Sequence, residues 1–142
     1  MMALIENETG AQRTLGYVLD VAQGDGRARC FLDVTEAHAN RHGVLHGGIA
    51  VMILDNAMGA TGSLTVDDTG RAPFLTISMA TNFVGPAHVG QRITATGRVT
   101  GGGRSLLFIE ARLEADDGAL IATATGVFKR VPRDRMEQGG DA

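Results

Sequence analysis

Apolar and polar residues alternate over most of this chain, and a period of two is the pattern of a strand with one buried face. Two alternating runs near the N-terminus, residues 15–21 and 28–34, flank the turn sequence Gly24-Asp25-Gly26 and predict a β-hairpin. Four longer runs come later and are separated by glycine-containing turns. They cover residues 74–84, 91–100, 104–115 and 119–131, and we expect them to follow one another as hairpins.

The stretch between the two groups of strands has a different composition. Residues 47–64 are rich in Ala, Met, Leu and Ile, contain no proline and carry Asp55 as their only charge. Such a segment predicts a helix, and because it is apolar nearly all round we expect it to be deeply buried. Residues 35–46 have no periodicity and include three of the four histidines, which predicts an irregular loop of the kind that often carries a site.

The order of elements is two strands, one helix and four strands, which predicts the α+β class. A curved antiparallel sheet wrapped around the helix would cover it, and nothing else in the chain can hide its outward side. We predict one domain over residues 1–132 and a disordered polar tail over residues 133–142. The inward-facing residues of the last three strands are Ile93, Ala95, Val99, Leu107, Ile109, Ala111, Leu113, Leu120, Ala122, Ala124 and Phe128.

Composition narrows the class of protein. A length of 142 residues with 44% hydrophobic residues is enough for one globular core. The formal charge of -3 and the scattered Lys and Arg residues argue against a nucleic-acid partner. The one cysteine, Cys30, cannot form an intramolecular disulfide, and no apolar run is long enough for a membrane span. The N-terminus lacks the basic segment followed by an apolar stretch that marks a secretory signal. We therefore expect a cytoplasmic protein with no membrane partner.

Candidate chemistry is concentrated around the start of the predicted helix, in Asn40-x-x-Gly43-x-x-His46-Gly47-Gly48 and in Asp55-Asn56. The amides of Gly47 and Gly48 belong to the first helical turn, where N–H groups lack intrahelical acceptors and the helix dipole favours negative charge. Such a helix start can hold an oxyanion. Asp55 is the lone ionisable group on an apolar helix, a placement that is costly for a carboxylate without partners or a function.

The spacing of these residues has a consequence for the assembly. Gly47 and Asp55 are separated by eight helical rises, roughly 12 Å along the axis, whereas a base and an oxyanion donor must each lie within about 3 Å of one reacting carbonyl group. One subunit cannot easily satisfy both requirements. Two such helices running antiparallel across a two-fold axis would bring Asp55 of one subunit to Gly47 of the other. We therefore expect a homodimer at least.

The motif over residues 40–48, with the aspartate-asparagine pair that follows, resembles the HGG motif of the phenylacetate-pathway and human-type acyl-CoA thioesterase branch of the hotdog superfamily. The similarity extends over nearly the whole chain and includes residues 75–79, 83–87 and 103–105. The resemblance implies a hotdog fold and hydrolysis of an acyl-CoA to a carboxylic acid and free CoA, without a metal or other cofactor. It also implies a homotetramer, which is common among similar proteins.

The same resemblance implies roles for individual residues. Asp55 matches the catalytic carboxylate, acting as general base or as nucleophile, and the Gly47 N–H would polarise the thioester carbonyl. His46 would hold the loop and the carbonyl, Asn40 would orient the water or the leaving group, and Thr76 would lie near Asp55 of the same subunit. Further substrate contacts are expected from Gly48, Asn56, Arg104 and Ser105. The CoA phosphates would pair with Arg104, Arg92 or Arg71.

Several of these residues also have plainer interpretations. His46 could simply cap the helix, Asp55 could be a buried aspartate bonded to nearby backbone, and Thr76 could be solvated. The remaining histidines have no metal-ligand spacing with Cys30 or with acidic residues, so we expect them at the surface or in loops. They are His38, His42 and His88.

Two other functions remain open for a chain with this pattern. A hotdog hydratase or dehydratase would share the fold, but it pairs a histidine with an acid in a different local pattern. A non-catalytic acyl-CoA sensor would keep the pocket without turnover. The complete set of Asn40, His46, Gly47 and Asp55 favours the enzyme, because binding alone would not require all four residues.

Overall fold

The computed structural model describes residues 4–132 and shows one long helix lying against a seven-stranded antiparallel sheet. The helices are α1 (Gly10–Leu15) and α2 (Gly47–Ser63), with a short 3-10 helix at Glu36–His38. The strands are β1 (Leu4–Ile5), β2 (Val18–Asp20), β3 (Arg29–Asp33), β4 (Phe74–Phe83), β5 (Arg92–Gly102), β6 (Leu106–Ala115) and β7 (Leu120–Arg130). The tail predicted over residues 133–142 lies outside the described residues.

The strand order in the sheet is β1-β2-β3-β5-β6-β7-β4. The hairpins predicted between β5, β6 and β7 are confirmed, but β4 pairs with β7 at the far edge and not with β5. The segment between β4 and β5 is held by the loop before α2, because Leu45 donates a backbone hydrogen bond to Ala87 and Val44 forms a bridge with His88. It therefore crosses the fold instead of closing a tight hairpin.

The predicted N-terminal hairpin forms, since β2 pairs antiparallel with β3, but its first strand is shorter than expected. The strand expected over residues 15–21 shortens to β2, and the residues before it form α1 and β1, which alternation did not predict. The helix α1 begins where the Thr9 hydroxyl accepts from the Gln12 amide and ends at Gly16, which has a left-handed φ of 87°. Gln12 is buried and its side chain donates to the carbonyls of Ile5 and Tyr17, so polar bonds rather than an apolar stripe hold α1.

The core lies between α2 and the concave face of the sheet, and nearly all predicted inward residues are buried there. Val99 is partly buried against the core. Leu120 is only partly buried, and Ile121 is buried in its place, because the register between β6 and β7 shifts near Leu113 and inserts an extra residue.

The helix approaches the sheet closely at one glycine. A Cβ added to Gly97 on β5 would lie 2.2 Å from Oγ1 of Thr61 and 2.9 Å from the Ala57 carbonyl oxygen. The Thr61 hydroxyl donates to that carbonyl at 2.7 Å and accepts from the Ala28 amide at 3.0 Å. The last turn of α2 is thus bonded through a buried hydroxyl to the backbone next to β3, at a point where a larger residue on β5 could fit only if the helix shifted.

One face of α2 is not covered by the rest of the chain, and the prediction of burial all round is wrong for it. The residues on this face recur at helical spacing and are partly or fully exposed: Gly48, Met52, Asp55, Asn56 and Gly59. The sheet curves around one side of the helix only, which leaves Asp55 at the surface of the single chain instead of in its core. Within residues 4–132, no helix is both long and apolar enough to cross a membrane.

Candidate active site

Asp55 lies midway along the uncovered face of α2 and is bonded to the first strand that follows the helix. The hydroxyl of Thr76 on β4 donates to Oδ1 of Asp55 at 2.6 Å, and the Thr76 side chain remains accessible to solvent. A register shift between Thr76 and Ser78 bends the strand at this point. Within the described residues, Oδ2 of Asp55 has no hydrogen-bond partner. One carboxylate oxygen is therefore held while the other is open to a ligand.

The start of α2 is built by His46, which is its N-cap residue. Nδ1 of the His46 ring accepts from the Gly48 amide at 2.9 Å, so in the neutral ring the proton is on Nε2. A Cβ at position 48 would lie 3.1 Å from two atoms of this ring, which explains the glycine there. His46 therefore does cap the helix, and the cap occupies the Gly48 N–H, one of the two amides proposed to face the substrate.

The Gly47 amide is left without an acceptor. Among residues 4–132 it donates no hydrogen bond, although it belongs to the first turn of a 17-residue helix, where the dipole favours an anion. The aromatic ring of Phe83 stands over this glycine, and a Cβ at position 47 would lie 3.3 Å from the ring. Phe83 itself is 60% exposed. The sequence did not indicate that Phe83 belongs to the site, because Phe83 and Gly47 are far apart in the chain and are brought together only by the fold.

The loop before α2 forms a small hairpin with Asn40 at its centre. Oδ1 of Asn40 accepts from the amides of His42 and Val44, and Gly43 takes a left-handed φ of 79° at the tip. The oxygen of this side chain is thus occupied in shaping the loop. Its amide nitrogen has no partner in the described part of the chain and is the group of Asn40 that remains available to a ligand.

The structure keeps Gly47 and Asp55 of one chain apart. Both lie on one unbroken helix, which separates them by roughly 12 Å along its axis. Their neighbours on β4 are also separated, since Gly47 lies near Phe83 and Asp55 near Thr76, toward opposite ends of that strand. A single chain therefore presents an unpaired amide and an open carboxylate oxygen as two half-sites.

A groove of about 590 Å³ opens beside Asp55. Its apolar lining includes Leu19, Phe74 and Phe128, and Gly59 leaves room along the helix. Asn56 also lines the groove, with its side-chain nitrogen bonded to the Met52 carbonyl at 3.0 Å and its oxygen without a partner among residues 4–132. The far end is bounded by Glu8 and Arg71, which form an ion pair of 2.6 Å. The groove combines apolar walls with several polar side chains, which together can hold and orient a small molecule.

The three arginines proposed to bind phosphate differ in their surroundings. Arg92 forms a double contact with Asp33 and lies 4.4 Å from the centre of the Phe31 ring, and hydrogen bonding by Arg92 lowers the pKa of the Asp33 carboxyl. Arg71 is paired with Glu8. Arg104 has no ion-pair partner among the described residues and is the unpaired cation of the three.

Two further cations accompany Arg104 at this end of the sheet. The carbonyl of Ser105 accepts from the Arg130 amide at 2.8 Å, and Lys129 is paired in register with Leu106. Neither basic side chain has an ion-pair partner within residues 4–132. Arg104, Lys129 and Arg130 are therefore three exposed positive charges on adjacent backbone segments.

The cysteine and the three histidines that were not assigned to the site have the following surroundings. Cys30 is fully buried, and burial raises the pKa of its thiol, which makes it a poor nucleophile. His42 and His88 are exposed, as expected. His38 lies in the predicted loop segment but not at the surface: it is only 4% exposed, and its ring is bonded to backbone on two sides. Residues 4–132 contain no group of three or more His, Cys, Asp or Glu placed to hold a metal ion.

Residues 42–122 match the sequence profile of the Thioesterase superfamily. The chain is 33% identical to acyl-coenzyme A thioesterase 13 of Homo sapiens over 112 residues, which is 78% of either protein. A phenylacetic acid degradation-related protein from Ralstonia eutropha superposes with a TM-score of 0.71 at 28% identity, covering 84% of this chain and 88% of that one. The PaaI protein of E. coli, at 20% identity and a TM-score of 0.73 over 88% and 86% of the two chains, shares the fold.

Proposed function

Because the chain belongs to the thioesterase superfamily and is a thioester hydrolase with the hotdog fold, we propose that its substrate is an acyl-coenzyme A, which it hydrolyses to a carboxylic acid and free coenzyme A. The resemblance to the phenylacetate-pathway branch is confirmed by the relatives found. One observation carries the proposal: α2 presents an oriented carboxylate on its uncovered face, Asp55 held by Thr76, and at its start the Gly47 N–H, which has no acceptor among the described residues.

In the proposed reaction, Oδ2 of Asp55 takes a proton from a water molecule as that water attacks the thioester carbonyl carbon. The carbonyl oxygen becomes an oxyanion that the Gly47 N–H and the helix dipole stabilise. When the tetrahedral intermediate collapses, the carbon–sulfur bond breaks and the proton on Asp55 passes to the departing thiolate. In the alternative that uses the same geometry, Oδ2 of Asp55 attacks the carbonyl carbon directly, the carbon–sulfur bond breaks and coenzyme A leaves as its thiolate, which takes a proton from water. A second water molecule then hydrolyses the mixed anhydride and restores the Asp55 carboxylate.

The active unit we propose is a homodimer joined along the uncovered faces of two α2 helices. Antiparallel helices across a two-fold axis would place Asp55 of one subunit beside Gly47 of the other and create two equivalent sites. The apolar side chain of Met52 and the absent side chain of Gly59 suit close helix contact at this face. The end of β4 adds to the same surface, because Phe83 and Val84 are 60% and 57% exposed.

We propose a homotetramer as the complete assembly. Leu106 and Phe108 alternate with buried residues of β6 and point away from the core, and they are 41% and 47% exposed. Large exposed apolar side chains on one sheet face are typical of an interface between subunits. We further propose that residues 1–132 form a single domain that functions in the cytoplasm.

Roles for the remaining residues follow from the groups that the fold leaves available. We propose that the amide nitrogen of Asn40 orients the water or leaving group, that Nε2 of His46 hydrogen-bonds near the carbonyl, and that Asn56 and the Gly48 backbone line the acyl site. The CoA phosphates would pair with Arg104, beside Ser105. The last assignment is supported by the absence of an ion-pair partner for Arg104 within the described residues.

The proposal is tested by thiol release from a panel of aryl- and alkyl-CoA esters. We expect hydrolysis of at least one, and we expect Asp55→Asn to lower kcat by two or more orders of magnitude with an unchanged thermal midpoint. Asp33→Asn, which removes an exposed carboxylate paired with Arg92, is the matched control and should retain full activity. Binding of the esters without thiol release would favour the acyl-CoA sensor.

A further inference from the structure

His38 joins the N-terminal helix to the loop that presents Gly47. Its ring is buried, and Nε2 lies 2.8 Å from the Leu15 carbonyl oxygen at the end of α1. On the other side of the ring, Nδ1 accepts from the Thr35 amide at 2.9 Å. Because Nδ1 accepts, the neutral ring carries its proton on Nε2 and donates it to Leu15. Both ring nitrogens are therefore bonded to backbone.

The backbone of the same residue holds the start of α2. The carbonyl oxygen of His38 accepts from the His46 amide at 2.9 Å, next to the bridge between Ala39 and Leu45 in the loop hairpin. His46 is the N-cap, and Gly47 is the next residue. An unbroken series of contacts thus runs from the Leu15 carbonyl through the His38 ring and backbone to the amide of His46, the residue whose own carbonyl group forms the peptide bond to Gly47.

We propose that His38 is a positioning residue for the thioesterase reaction, acting by fixing the direction of the Gly47 N–H. This inference rests on the proposed function, since it assumes that Gly47 binds the oxyanion. His38 does not line the groove beside Asp55, and its ring is bonded to backbone groups of Leu15 and Thr35, so it acts through its backbone bond to His46. The Gly47 N–H must point at the thioester carbonyl oxygen, and the buried bonds of His38 help to set its direction. Small errors in the position of such a donor lower the reaction rate strongly.

Three substitutions at His38 separate positioning from stability. Leucine removes both ring bonds, asparagine can keep an acceptor for the Thr35 amide, and glutamine can keep a donor for the Leu15 carbonyl. In the folded His38→Leu protein we expect kcat to fall about 10- to 100-fold with KM changed less than about threefold. Glutamine should restore more of kcat than asparagine, because it keeps the link to α1.

A second variant tests the same anchor without touching His38. Gly16 follows Leu15 and has a φ of 87°, so Gly16→Ala strains the backbone that carries the Leu15 carbonyl, with open space for the new methyl group. Gly24→Ala is the matched control, since Gly24 has a φ of 72° and equally open space but lies in the turn between β2 and β3. We expect Gly16→Ala to lower kcat and Gly24→Ala to leave it unchanged, at similar cost to thermal stability.

The outcomes distinguish this inference from the proposed function. If the wild-type enzyme releases thiol and Asp55→Asn abolishes turnover, the proposed function stands. In that case a wild-type kcat in every folded His38 variant, with loss confined to the melting temperature, overturns the positioning role. Should no His38 variant fold, a wild-type kcat in Gly16→Ala overturns it instead. A lowered kcat that glutamine partly restores supports it.

Discussion

Thr76 on β4 donates a hydrogen bond of 2.6 Å to Oδ1 of Asp55 on α2. The bond connects the edge strand of the sheet to the helix that the sheet surrounds, between residues 21 positions apart. It fixes the plane of the carboxylate and directs the free oxygen, Oδ2, away from the strand. A half-exposed carboxylate on a helix would otherwise rotate among several rotamers.

We expect Thr76→Val, which preserves the shape of the side chain but removes its hydroxyl, to lower kcat about tenfold or more with little change in KM. Thr76→Ser is the matched control, because serine retains the donor, and it should stay within about threefold of wild type. Steady-state thiol release with the best ester of the panel measures both. Equal kcat for the valine and serine variants would show that the hydrogen bond has no part in the reaction.

Gly47→Pro removes the proposed oxyanion donor and adds ring carbon atoms beside Phe83. Proline is well accepted at the first position of a helix, and the preceding residue, His46, has a ψ of 131° that is compatible with it. We expect kcat to fall by about 100-fold or more, the usual result of losing one oxyanion donor.

Gly47→Ala is the control for this change, because alanine meets the same Phe83 ring while keeping the N–H. The exposed ring can move aside, so the alanine variant should lose much less activity than the proline variant. Circular dichroism of both proteins verifies that α2 is intact. Similar losses in the two variants would assign the effect to crowding by the added carbon atoms and would contradict an oxyanion role for the amide.

Much of this fold could be predicted from the sequence because the signal is local. Period-two alternation gave the three strands β5 to β7 and their buried faces, since each side chain's direction follows from its neighbours. The edge position of β4 could not be predicted in this way. It depends on bonds between the loop before α2 and the segment after β4, such as that from Leu45 to Ala87, which no local pattern encodes. The helix α1 was missed because its six residues have no apolar stripe.

The site likewise combines residues that the local sequence indicated with residues that depend on long-range contacts. Asp55 and Gly47 stood out because a lone acid and a pair of glycines are unusual on an apolar helix. The burial of His38 was missed because its ring bonds to backbone groups of Leu15 and Thr35, and any residue type can supply those groups. The contact of Phe83 with Gly47 was missed because it depends on how β4 runs along α2.

The close contact between α2 and β5 predicts a stability effect at Gly97. Because a Cβ there would lie 2.2 Å from Oγ1 of Thr61 and 2.9 Å from a helix carbonyl oxygen, the helix must shift to admit alanine. We expect Gly97→Ala to lower the free energy of unfolding by about 1–3 kcal/mol, the usual cost of overpacking. Urea unfolding measures the change.

Gly101→Ala provides the comparison on the same strand. A Cβ at Gly101 would meet only Cδ2 of Phe108, at an ordinary contact distance of 3.6 Å, so we expect a change within about 0.5 kcal/mol. If Gly97→Ala were as stable as Gly101→Ala, the helix and the sheet would have to be more loosely packed than the structure shows.

Sharing of the site between subunits predicts that two inactive proteins can restore each other. In a dimer of one Asp55→Ala chain and one Gly47→Pro chain, one site contains both defects, while the other combines an intact Asp55 with an intact Gly47. Random exchange makes half of the dimers mixed, each with one working site of two, so a 1:1 mixture should recover about a quarter of wild-type activity. Mass spectrometry of the native assembly measures how many mixed dimers form. Sites contained within one chain would give no recovery even when exchange is complete, because every chain in the mixture lacks one of the two groups.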